Sequence, residues 1–370
     1  CPPAEEEAAR CLGASGVRVL ATVLWPRIRT SLSFALILVC MYVVSDFGAV
    51  AVLDCEVLTW ALYKARGGRD AIVMGFGLMG TVLPLLAGVR LMHGEARQEV
   101  GLTQRTVARS EPRRLAHCLT WTLVFLTAGL GVLLPAGVLV EWLISGVRHG
   151  IDFAPVAVPA LWTLIYGGLG ATVVLVLGFV PAYLATKMSQ RQSGMVENLI
   201  YLTSSVPGIL IAVGLLQLII GLKRMSHSAT WIDDSVGVAE QLGIVLLIGY
   251  GMRFLSQAYA SLKPTMQRLD IRQSESARIL GATPTRRWFQ VTLPAMSPGL
   301  IAAFTILFLS IAKELPITLM LIPLGQTTLA YRIFDAQQEG ALPDVGLAGL
   351  TLLFIALILQ VTVNRRRAYD

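Results

Sequence analysis

Eight stretches of the chain are almost continuously apolar: about 31–53, 71–92, 115–140, 159–186, 197–222, 236–256, 297–322 and 344–364. Apolar runs of about 18 or more residues have the length of a membrane-spanning helix. Only helices satisfy their own backbone hydrogen bonds in so many separate runs. The period-two alternation of a membrane β-barrel is absent. The pattern therefore predicts an all-α polytopic membrane protein with about eight transmembrane helices. One span is interrupted: Pro207 and Gly208 fall inside "ENLIYLTSSVPGILIAVGLLQLII". A break there frees backbone groups that a neighbouring helix or a cavity must satisfy.

The polar stretches repeat. "EAARCLGASGVRVLATVLWP" (7–26) and "ESARILGATPTRRWFQVTLP" (275–294) align without a gap at an offset of 268, with nine of twenty positions identical. The register continues downstream. Asp46 falls on Glu314, Thr59 on Thr327 and Tyr63 on Tyr331, and the span at 71–92 falls on the span at 344–364. Internal repetition of this kind divides the chain. Residues 1–92 read as the C-terminal part of a first unit, 93–114 as a polar linker, and 115–370 as a complete second unit of six spans. The chain opens on Cys1 just before the first copy, so the expectation is a first unit truncated at its N-terminus.

Each copy has the punctuation of helix–Gly–helix. Residues from about Arg268 to Leu280 suit a helix, Gly281 suits a left-handed stop, Thr283 an N-cap and Pro284 a first helical position. Gly13 and Ser15 hold the equivalent places upstream. Trp288, Phe289, Val291 and Leu293 give the second helix an apolar face suited to a membrane surface.

Composition agrees with the spans. Hydrophobic residues make up 55% of the chain, charged residues 14%, and the mean hydropathy is +0.68. A soluble domain carries about 25% charged residues. The net charge of +7 first raises nucleic acid as a partner. The basic residues sort by side instead: 22 Lys and Arg lie in 1–30, 90–114, 187–197, 253–290 and 365–370, against 8 elsewhere. Positive loops stay in the cytoplasm. The charge is thus a topology signal, the C-terminus is expected in the cytoplasm, and no nucleic-acid partner is expected.

The E-A-A, three residues, Gly and later Leu-Pro pattern resembles the "EAA loop" of binding-protein-dependent ABC import permeases. Glu7, Ala8, Ala9, Gly13 and Pro26 carry it in the first copy, with Trp25 replacing the usual Leu. Glu275, Ala277, Gly281, Leu293 and Pro294 carry it in the second, with Ser276 in place of the middle Ala. The resemblance covers essentially the whole chain. It implies a type I ABC importer permease fold in a bacterial inner membrane. It also implies that each loop docks on one subunit of a cytoplasmic ATPase dimer. There the Gly permits a sharp turn and the Glu pairs with a basic group. ATP-driven closure would rock the bundle between inward and outward states, with cargo delivered by a periplasmic substrate-binding protein. The tandem arrangement, "KELPITLMLIPLGQTTLAYRIFDAQQEG" (313–340) and "SDFGAV...LTWALYKA" resemble the ferric-iron permease subfamily. Thiamine and phosphonate permeases share much of this and are the alternatives.

Other chemistry is sparse. No GxxxxGK[ST] occurs and the dipeptide GK is absent, so the chain carries no P-loop of its own. "GFGLMG" (75–80) spells GxGxxG but lies in an apolar span with no strand before it. It reads as close helix packing by small residues. His93, His117, His149 and His227 form no metal-ligand motif, so neither a metal nor a cofactor is expected. The scattered Cys1, Cys11, Cys40, Cys55 and Cys118 read as small buried hydrophobes. Asp46 and Glu314 are acids beside apolar spans, and so candidates for the translocation path. The competing reading is a structural acid at a helix end. The resemblance places the 197–222 span in the permease core, making Ser204, Ser205 and Pro207 candidates for a path or gate. An ion-coupled secondary transporter also uses repeats and broken helices, but these spans carry few charges. A membrane enzyme finds no catalytic cluster to support it.

Overall fold

The computed structural model describes the backbone of residues 8–9, 11–65, 69–99, 114–225, 230–269 and 271–367. Glu7 and most of the 93–114 linker lie outside the described residues, as does the side chain of Ser204. Every regular element among the described residues is a helix. Four of them, His117–Arg148, Ala154–Lys187, Pro284–Ala312 and Leu342–Val363, are each long and apolar enough to cross a membrane. Two more expected spans are bent pairs. Gln190–Thr203 meets Gly208–Arg224 at 82°, and Asp234–Gln241 meets Ile244–Gln267 at 68°. The remaining two contain the shorter apolar helices Ala35–Ser45 and Asp70–Leu85.

Both bends have local causes. Val206 precedes Pro207, and proline pushes its predecessor out of the helical region. Val206 is accordingly extended, at φ −78° and ψ 122°. In the other pair Gly243 takes φ +70°, where a side chain would be strained and would also strike the Tyr166 ring. The sequence pattern had read 236–256 as one span, because its apolar content runs through the turn. Two expected spans also end early. The helix Trp25–Ser45 stops before Asp46 and resumes as Gly48–Val52. Likewise Leu293–Ala312 stops before Lys313 and resumes as Pro316–Leu321. At its other end the helix Arg69–Glu99 runs past residue 92 into the expected linker.

The chain packs as two compact units, residues 1–46 with 75–135, and 47–74 with 136–370. These units follow packing and the repeat follows sequence, so the two divisions cut the chain at different places. In the first unit the helices Trp25–Ser45 and Arg69–Glu99 approach where the Ile37 side chain faces Gly88, 3.3 Å from the place of a Cβ. Their outer faces stay apolar, with Leu36, Val39, Tyr42 and Val43 exposed, as lipid contact requires.

The second unit holds the main core. The helix Ala157–Lys187 packs against Ile244–Gln267 and Leu293–Ala312. Ala171, Val174, Leu246, Tyr250, Leu307 and Ile317 are almost fully buried there. The approach is close: a Cβ on Gly178 would lie 2.6 Å from the Cβ of Ala258. Small residues thus let helix backbones meet, which is how membrane helices gain packing contacts. In the GxGxxG segment Gly75 is buried while Gly77 and Gly80 are not in close contact. A Cβ on Gly77 or Gly80 would meet nothing within 4 Å. The cysteine expectation is also corrected. Cys11, Cys40, Cys55 and Cys118 are free and exposed. Cys40 and Cys118 lie on the outward faces of apolar helices, where lipid rather than protein would cover them.

Candidate functional site: two matched turns and a broken-helix junction

The two repeated segments adopt the same backbone. In the second, the helix Ile271–Ile279 ends at Gly281, which has φ +81°. Ala282 N donates to Ala277 O at 3.0 Å and Leu280 N to Ser276 O at 3.1 Å. In the first, Gly13 has φ +82°. There Ala14 N donates to Ala9 O and Leu12 N to Ala8 O, both at 3.0 Å. These are the same bonds moved by 268 positions, and both form the glycine-stopped helix end that satisfies orphan carbonyls. Ser15 and Thr283 follow as extended N-cap residues, both at ψ 156°. Thr283 accepts a side-chain cap bond from Arg286 N, and Ser15 makes none. Short helices Gly16–Val19 and Pro284–Arg287 come next, then π-helical turns Leu20–Leu24 and Trp288–Thr292. Helices beginning at Trp25 and Leu293 complete the match.

The tip of each turn is exposed. Ala8 and Glu275 are solvent-facing and Ala9 and Ala277 half-buried. Leu12 and Leu280, one residue before each glycine, are 88% and 86% exposed. These two equivalent leucines are both held almost fully outside the fold. The sequence pattern singled out the acids and glycines but not these leucines. Two details differ from expectation. The helix before Gly281 begins at Ile271, because Arg268 closes the preceding helix by donating its N–H to Pro264 O. The apolar face of the second helix is divided: Phe289 is exposed, while the Trp288 ring meets the Phe179 ring edge-on at 5.6 Å.

The second candidate site lies where the broken helices meet. Pro207 is buried and Ser205 Oγ donates to Tyr201 O at 3.2 Å. The break leaves the carbonyl of Val206 without a helical partner, and Arg253 Nη1 donates to it at 2.7 Å. Beside it stands Glu314, 8% exposed. Its Oε2 accepts from Ile317 N at 3.0 Å and Thr318 N at 3.3 Å. The carboxylate thus caps the helix Pro316–Leu321, whose first residue has no N–H to offer. Thr318 Oγ1 donates to Glu314 O at 2.7 Å and also meets Tyr250 Oη at 2.7 Å. Glu314 interacts electrostatically with Arg253, and its Oε1 lies 2.9 Å from where a Cβ on Gly208 would be. Proline break, arginine and acid therefore form one junction.

Pro207 and Glu314 thus meet at one junction through Gly208 and Arg253, a juxtaposition the sequence did not state, while Ser205 bonds within its own helix. Arg253 was missed. It ends the apolar run 236–256 and was counted among the basic loop residues, yet the helix continues to Gln267 and keeps it half-buried inside the unit. Asp46 makes the backbone bond expected from its repeat partner. Asp46 N donates to Val43 O at 3.1 Å, and Glu314 N to Ile311 O at 3.0 Å. Its side chain is half-buried. Among the described residues, no group of three or more His, Cys, Asp and Glu is arranged to hold a metal ion.

Apolar helices in this number, two of them bent at a break, define a multi-pass helical membrane protein. Residues 174–368 match the family described as binding-protein-dependent transport system inner membrane component. That match covers more than half of the chain, and the chain belongs to this family of ABC importer permeases. Over 351 residues it is 25% identical to the "Fe(3+)-transport system permease protein FbpB 2" of Haemophilus influenzae, an alignment covering 91% of this chain and 67% of that protein. It is also 25% identical over 165 residues to a "Putative 2-aminoethylphosphonate transport system permease protein PhnV" of Salmonella typhimurium, covering 45% of this chain and 57% of that protein. With the "Putrescine transport system permease protein PotI" of Escherichia coli strain K12 it shares 24% over 218 residues, covering 56% of this chain and 74% of that protein.

Proposed function

We propose that the chain forms the translocation path of an ABC importer, driven by a separate cytoplasmic ATPase dimer docked on the turns at 7–26 and 275–294. The observation that carries this reading is their matched geometry: the same glycine stop, the same backbone bonds around it and the same exposed leucine, 268 residues apart. A duplicated surface suits a partner with two equivalent faces. On this reading the chain does no covalent chemistry and has no ATPase site. Leu12 and Leu280 enter apolar clefts on the ATPase, while Glu7 and Glu275 pair with its basic groups. Both the docking turns and the C-terminus face the cytoplasm.

The proposed cargo is ferric iron, handed over by a periplasmic binding protein. Support comes from the relative aligned over 91% of the chain, whose name specifies Fe(3+) transport. The phosphonate and putrescine relatives align over shorter parts. Stimulation of ATP hydrolysis in liposomes decides between them. The permease and its ATPase are reconstituted with a ferric-loaded binding protein, or with one loaded with a phosphonate, thiamine or putrescine. Stimulation by the ferric-loaded protein alone is expected; stimulation by another loaded protein and not by that one would reassign the cargo.

A further inference from the structure

The segment that carries the downstream turn also closes a cavity of about 500 Å³ on its inner side. The cavity lies in the second unit, where the helices Ala157–Lys187 and Ile244–Gln267 end. Its wall is apolar and aromatic, with Phe179, Tyr183, Trp288 and Met296, and its two cations are Lys187 and Arg287. No acidic residue is among the lining residues described. Phe179 and Tyr183 stack at 6.2 Å, and the Lys187 ammonium sits 5.8 Å above the Tyr183 ring. The Nε of Arg287 is buried and has no hydrogen-bond partner among the described residues.

A guanidinium is charged at every accessible pH, and a buried donor on it calls for an acceptor. The repeated turn does not require this cation. In the upstream copy the equivalent position is Val19, 1% exposed. Arg287 is thus a cation that the second unit has and the first lacks at this place. The cavity opens where apolar helices end, and its Trp and Tyr belong to the residue types that line the membrane–water boundary. A ligand entering from the bilayer needs an apolar tail for the aromatic wall and an anionic head for the two cations.

We propose that this cavity binds an anionic phospholipid of the adjoining leaflet. Its phosphate is held by Arg287 and Lys187, and an acyl chain lies along Phe179 and Met296. The proposal rests on these helices spanning the membrane and not on the ATPase reading. Binding of this kind would tie the position of the 284–296 segment to the lipid beneath it.

Native mass spectrometry of the full chain in detergent, titrated separately with phosphatidylglycerol and phosphatidylcholine, tests it. Tighter retention of phosphatidylglycerol is expected. Arg287→Gln and Lys187→Gln should each weaken that retention about fivefold, the factor equivalent to about 1 kcal/mol per cation near an anionic surface. Arg287→Lys should keep most of it. Lys187 is exposed at a helix end, so its variant carries the test if Arg287→Gln misfolds. Equal retention of the two lipids, or phosphatidylglycerol binding unchanged in both glutamine variants, would overturn the proposal. Displacement of the lipid by inorganic phosphate would overturn it in favour of a soluble anion. No ATPase is present in this assay, so its outcome is independent of the docking reading.

Discussion

Glu314 illustrates how an acid beside an apolar span can be read two ways. An isolated carboxylate in such a place suggests a cargo path. Here one oxygen is committed to two backbone N–H groups at the start of Pro316–Leu321, so its immediate work is structural. We infer that any part it plays in transport acts through the junction with Val206 and Arg253. Glu314→Ala should strand both donors and cost about 2 kcal/mol, within the range for unsatisfied buried groups. Glu314→Gln keeps an acceptor oxygen and should cost less. Thermal unfolding in detergent reads the difference, and an alanine variant that melts with the wild type would remove the capping role. Pro207 was legible in the sequence as a lost N–H inside an apolar span, although Pro84, Pro181, Pro264 and Pro298 lie within helices that continue through them. Arg253 was not, since a cation at the end of an apolar run looks the same whether the helix stops there or continues inward.

At the scale of elements, the turns and the break at Pro207 were legible, and the bend at Gly243 was not. Gly281, Thr283 and Pro284 each restrict the backbone in a known way, and the structure places a stop, a cap and a new helix on them. Nothing in residue type announces the π-helical turns at Leu20–Leu24 and Trp288–Thr292. Nor does apolar content distinguish a straight span from the two helices that meet at 68° around Gly243. Hydrophobicity reports which residues avoid water, while a bend depends on one or two backbone angles. The exposure of Leu12 and Leu280 was hidden for a similar reason. Periodicity shows that a helix has an apolar face, but not whether protein covers it. The element most open to test is the 284–296 segment, where loss of the Arg287 cation should release lipid without altering the neighbouring turn.

At the scale of the whole molecule, the sequence pattern identified a multi-pass helical protein, and the family match over residues 174–368 agrees. The sorting of basic residues motivates the proposed orientation. A cysteine added after Asp370 should resist a membrane-impermeant thiol reagent in intact cells and react once the inner membrane is opened; ready labelling in intact cells would reverse the topology. The central claim is that the two matched turns hold the ATPase. Its most direct measurement is ATPase co-purification and cargo uptake with the full-length protein carrying Glu275→Ala and Gly281→Ala. Alanine at φ +81° is strained by about 1 kcal/mol, and the first substitution removes a charged partner. The account predicts clear loss of ATPase association and of uptake, with the protein still present in the membrane. Unchanged association and unchanged uptake would contradict it.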